Sequence, residues 1–387
     1  MVKLGEPWPR RALYASVVLF INVLAAAQAH YVVTNNDPGV GFYTVAPNGV
    51  LTLKKLIRLG KPGVGNVGGF FGADRIQALD SGDQQCVYAS VAIDEEIVGV
   101  PVNSLTANSG ASGSATDKGA SNGIGLAINS RYLYASFTDS NTIGTFVLEA
   151  GCDLEFVNDV SVGGLAGGMI NGMAIHGNMM ITTFTDGSIE SFDISAGTPV
   201  PNDDEKYSTA ALNSLDATYP NSIDITHDGH YAIFADTSSS MVVEVSDMSS
   251  GKLAPTSVYR SRASISSSNA ILSPDESVLY VVNTQGASVS ALLFDKKTGR
   301  LTWGCTSERI RGQSSQWSYL GGAGLISQTG SGGGVYVAEF GDPAGIAMVT
   351  LESSAFGRCS LRESAQSPFF IPSQGLLSIG TFPPRAF

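Results

Sequence analysis

The chain has little charge and almost no histidine. Only 14 % of its 387 residues are charged and 4 are His, a composition that argues against long solvated helices. It lacks a CxxC pair, which removes the usual zinc spacings. It also lacks a GxSxG elbow, which removes the helix-borne serine hydrolase arrangement. No Asn-x-Ser/Thr sequon is present, so glycosylation maps no surface. Basic clusters are missing too: Lys and Arg number 22 against 34 Asp and Glu, and a net charge of −12 repels nucleic acid and anionic lipid. No amphipathic segment of helix length stands out, and almost no helix is expected.

One long apolar run is present. Residues 12–29, "ALYASVVLFINVLAAAQA", follow Arg10 and Arg11 and end in Ala27-Gln28-Ala29, the basic, hydrophobic and small-residue parts of a secretory signal. The expected division is a signal peptide over 1–29 and a single domain over 30–387, with no membrane contact after cleavage. The same run is at the short end of what crosses a bilayer, which leaves an uncleaved anchor as the alternative. Cleavage removes Lys3, Arg10, Arg11 and Glu6, so the secreted chain is more acidic still. Cys86, Cys152, Cys305 and Cys359 then meet an oxidising compartment, where one or two disulfides can form in any of three pairings.

What the chain has in abundance is glycine, 45 residues, and a loose internal repeat. Short β-rich runs recur at Tyr31 ("YVVTN"), Val87, Tyr132, Met180, Tyr231 ("YAIFAD"), Leu279 ("LYVVN") and Val335. Their spacing is that of propeller blades with four strands each. Upstream of six of them lies a second element, as in "NGIGLAI" at Asn122, "NGMAI" at Asn171, "NSIDI" at Asn221 and "NAIL" at Asn269. A seventh copy, "QGLLSI" at Gln374, has no partner downstream, just as "YVVTN" has none upstream. The two complete each other if the C-terminal strand joins the N-terminal blade as its inner strand, which removes two exposed sheet edges. The fold class is therefore all-β, a closed seven-bladed propeller. Residues 104–121, "SLTANSGASGSATDKGAS", read as a long Ser/Gly/Ala loop.

Residues 279–301, "LYVVNTQGASVSALLFDKKTGRL", together with "HYVVTNND" and "SPDESVLYVVN", resemble the lactonase-like seven-bladed propellers. That group includes propeller-type phosphogluconolactonases and secreted carboxymuconate cyclase-like proteins. The resemblance implies a lactonase or cycloisomerase-like activity on a small lactone or carboxylic acid at the channel mouth. It also implies a catalytic His, Arg and Glu near that mouth. The alternative is a non-catalytic extracellular propeller that binds a protein, glycan or surface.

Strand polarity puts the loops that lead into the inner strands at one end, the mouth, and the "SPDG"-type hairpins at the other. Asp74, Asn122, Asn171, Asn221, Asn269 and Gln374 occupy one repeat position at the mouth, with Arg75, Arg260, Arg262, Asp236 and Glu339 nearby. Lactone opening needs a base for water and a donor for the oxyanion, whereas lactonization needs a proton donor and an Arg for the substrate carboxylate. Asp74, Arg75 and Glu339 are the catalytic candidates, with Arg75 holding the anion and Glu339 or Asp74 as acid/base. The four Asn, Gln374, Arg260 and Arg262 are ligand-binding candidates. The competing structural reading makes the Asn side chains backbone brackets and Asp74 and Arg75 a solvated pair. No cofactor is expected; Ca²⁺ held by convergent carboxamide oxygens is the one exception considered. His176, His227 and His230 fall in hairpins at the opposite end; His30, His176 and the His227/His230 turn are on different blades, too far apart to share a metal, and the two His of "THDGHY" read as an ordinary Asp-Gly hairpin rather than a weak metal pair. The expected unit is a monomer that meets a small-molecule ligand or an extracellular surface or protein.

Overall fold

A meander of alternating residues has two apolar faces to hide, and a lone meander can hide neither. In the computed structural model the chain solves this with seven sheets, each a blade. The structure describes residues 31–36, 39–58, 76–91, 96–103, 105, 124–138, 140–202, 206–208, 219–237, 241–261, 267–284, 286–311, 320–326, 334–339, 345–353, 359–370 and 376–384. The leader over 1–29 and nearly all of the 104–121 loop lie outside them.

Blade 1 pairs Leu376–Phe382, its innermost strand, with Tyr31–Asn36, followed by Gly39–Val45 and Leu51–Arg58. The inner strands of blades 2 to 7 are Ile76–Asp80, Ile124–Ile128, Ile170–His176, Tyr219–Ile225, Ser267–Leu272 and Leu320–Ile326. Each pairs antiparallel with the strand that follows it. In blade 1 the register runs from Tyr31↔Phe382 to Asn35↔Ser378. Leu376–Phe382 also lies beside the inner strands of both blade 2 and blade 7, so the ring is closed, as the repeat requires. Among the described residues the one helical element is a turn at Ala150–Cys152.

The core is divided as the blades are, with one buried cluster in each of the seven junctions. Ile233, Val243, Leu272, Val281 and Leu292 fill the junction of blades 5 and 6, for example. Burial of each such side chain contributes about 1.5–3 kcal/mol. The inner strands belong to separate sheets, so polar side chains bridge them instead. Gln77 Nε2 donates to Leu126 O at 2.9 Å, while Ser222 Oγ and Asp224 Oδ2 accept from Ala270 N at 2.9 Å and Leu272 N at 2.7 Å.

Both disulfides also join neighbouring blades. Cys86–Cys152 ties blade 2 to blade 3, and Cys305–Cys359 ties the outer strands of blades 6 and 7. That choice settles the pairing that the sequence leaves open.

Candidate functional site

The hairpin end is saturated with local hydrogen bonds. In blade 5 the Asp228 carboxylate accepts from His230 N at 3.0 Å and Thr226 Oγ1 at 2.8 Å. In blade 6 Asp275 accepts from Ser273 Oγ at 2.6 Å and Ser277 Oγ at 2.8 Å. Burial pushes Asp228 up, but its hydrogen bonds and the nearby His230 and Lys296 outweigh that and hold it below the usual carboxylate range. The Ser273 hydrogen bond leads the same outcome for Asp275. Glu276 is buried under the same hairpin, accepts from His227 N and pairs with Lys296 Nζ at 2.8 Å. His176 packs against Gly229, which sits between His227 and His230, so these histidines are neighbours across the junction of blades 4 and 5. The His176 ring therefore reaches the turn of the next blade: a side chain at Gly229 would collide with it, and Gly229 has φ +68°. Among the described residues no three His, Cys, Asp or Glu side chains form a metal-binding group.

The mouth is built differently. The inner strands of blades 4, 5 and 6 each carry a bulge just after their start, at Asn171, Asn221 and Ser268. A bulged residue turns its side chain into the junction with the next blade. Asn171 Nδ2 donates to Pro220 O at 2.7 Å, and Asn221 Nδ2 donates to Ser268 O at 2.9 Å. Asn269 is one register step further on, level with Ser222, and lines the channel. The repeat position inferred for the Asn residues is therefore split in two, because the bulge shifts blade 6 by one residue against the sequence alignment. Asp74, Arg75, Asn122, Arg262 and Gln374 lie outside the described residues.

Opposite the start of each inner strand, the second strand contributes one side chain to the preceding junction. Blades 3 and 4 place Phe137 and Phe184 there, whereas blades 5, 6 and 7 place Asp236, Asn283 and Glu339. All five are buried. Asp236 is fully enclosed and neither carboxyl oxygen has a hydrogen-bond partner. Burial, and then the charge of Glu244, push its pKa well above the carboxylate range, against the opposing pull of Arg260. The register explains the grouping: Asp236 pairs with Val242, which pairs with Arg260, and Glu244 is two residues along the same strand face. Arg260 thus meets blade 5's own acids, and Glu339 stands two blades away against Gly345. Glu244 went unnoticed in sequence because its alternation with Val243 and Val245 reads as an ordinary half-buried strand.

Between the ends runs the channel, with a cavity of about 180 Å³ lined by six of the seven inner strands. Its wall is mostly Ala, Ile and Met, and Gln77, Ser222, Asp224, Asn269 and Thr381 supply polar atoms. The cavity falls below the ~300–1,000 Å³ of ordinary ligand pockets, so what enters must be small.

Solved structures share this architecture. A putative 6-phosphogluconolactonase from Bacteroides fragilis superimposes with a TM-score of 0.65 at 13 % identity, over 92 % of this chain and 99 % of that one. One from Bacteroides uniformis gives 0.64 at 13 % identity, over 91 % and 99 %. The periplasmic gluconolactonase of Pseudomonas aeruginosa gives 0.61 at 12 % identity, over 91 % and 98 %. The fold is that of the lactonase-like seven-bladed propellers. At this identity the likeness concerns fold alone. No family model matches the chain, and no curated protein does.

Proposed function

We propose that this chain is a secreted lactonase-type propeller that opens or closes a small lactone at the mouth of its channel. The observation that carries the reading is the run of Asp236, Asn283 and Glu339 at one register position, where blades 3 and 4 carry Phe. Burying such groups is costly, and a purely structural junction closes more cheaply with an aromatic ring. Glu339 is the acid/base in this reading and Arg75 holds the substrate carboxylate, with Arg262 beside it, while Arg260 is taken up by the acids of blade 5. Two disulfides between blades suit an oxidising compartment.

One observation favours a non-catalytic binding propeller instead: the described histidines all lie at the hairpin end, away from the mouth. Turnover decides between the two. Purified residues 30–387 are assayed on a panel of aldonolactones and muconates, beside Glu339→Gln. The lactonase reading expects turnover of at least one compound, reduced on the order of 10²–10⁴-fold by the substitution. Equal turnover in both proteins removes Glu339 from the site, and none on any compound leaves the binding reading.

A further inference from the structure

We propose that the junction of blades 4 and 5 holds a hard cation through oxygen atoms alone: the Asp236 and Glu244 carboxylates, the Asn171 amide oxygen and the Thr183 hydroxyl. The four come from four strands and two blades, and the register brings them together. Asp236 and Glu244 share the face of blade 5 that looks toward blade 4. Asn171 reaches across from blade 4 to Pro220 O, and Pro220 is the register partner of Asp236. Thr183 stands opposite Gly172, the residue after Asn171.

The chemistry of the group is one-sided. Asp236 Oδ1 and Oδ2, Asn171 Oδ1 and Thr183 Oγ1 are all buried without a hydrogen-bond partner. Because the Asn171 amide nitrogen is committed to Pro220 O, its oxygen is the atom left over. A proton bridging the two carboxyls would satisfy one acceptor and leave the rest. A Ca²⁺-like ion takes six to eight oxygens, including neutral amide, hydroxyl and backbone ones. Gly172 keeps the space open: a Cβ there would lie 3.1 Å from both Thr183 Oγ1 and the Asn221 carbonyl oxygen. That carbonyl is a further ligand within reach. Arg260, on the Asp236 row, offsets one of the two negative charges. The site therefore keeps a net attraction for a cation but not the strength of a multi-carboxylate cage.

This site shares Asp236 with the row of buried polar side chains on which the lactonase reading rests, but it does not involve Glu339 and its test does not use turnover. Residues 30–387 are stripped with chelator, and melting temperature is followed as Ca²⁺ alone, and separately Mg²⁺ alone, is added. A cation bound only by the folded chain raises the wild-type melting temperature by about 4 °C at a hundredfold excess over Kd. Asp236→Asn abolishes that rise, and Thr183→Val, which removes one oxygen without changing charge, weakens cation affinity at least threefold. The metal-free melting temperature of each variant shows that it folds. No rise with either cation in the wild-type protein, or an equal rise in all three proteins, overturns the proposal.

Discussion

Asp228 precedes the strand Tyr231–Thr237 of blade 5 and Asp236 sits near its far end, and their circumstances are opposite. Asp228, at the hairpin end, accepts hydrogen bonds from its own turn and is held as a carboxylate. Asp236, at the mouth end, has no such partner and is pushed toward its protonated form. The hairpin acid stabilises the fold that surrounds it. The mouth acid costs the fold stability, and a residue retained at a cost is where a functional role is sought.

The two ends should respond with opposite signs to removal of charge. In metal-free protein Asp236→Asn is expected to raise stability by about 1–2 kcal/mol, because a buried carboxyl without hydrogen bonds, facing Glu244, is lost. The check is chemical denaturation at neutral pH. Loss of stability would show that Asp236 has compensation comparable to that of Asp228 and would erase the contrast.

Stability against pH sharpens it. Unfolded Asp236 releases its proton near the ordinary Asp value of about 3.9, whereas the folded chain keeps it to higher pH. Between those two values the native state binds more protons, so this residue's contribution falls as pH rises, by up to about 1.4 kcal/mol per unit. Asp228 and Asp275, held low, act in reverse: their contribution is complete above the unfolded value and is lost as pH falls through the folded one. Chelated wild-type protein should therefore lose stability above pH 4 along a slope that Asp236→Asn flattens. The smallest expected effect is Asp275→Ala, which breaks the Ser273 and Ser277 bonds and costs about 1 kcal/mol at neutral pH.

The blades were legible in sequence because each copy must repeat the same apolar spacing. The unpaired "QGLLSI" and "YVVTN" then fixed the closure, and Leu376–Phe382 does pair with Tyr31–Asn36. The mouth was less legible. Asn171, Asn221 and Asn269 look equivalent in a string of letters, yet a bulge puts the first two into junctions and the third into the channel. Bulges leave no mark in composition. The Asp236–Glu244 pairing was also hidden, since it depends on a diagonal relation across two strands rather than on local spacing.

The most direct test follows the carboxyl carbons of Asp228 and Asp236 by NMR as the chelated protein is titrated. The account predicts that Asp228 changes ionisation below the usual carboxylate range while Asp236 does so well above it. Both residues titrating together near or below pH 4 would contradict it.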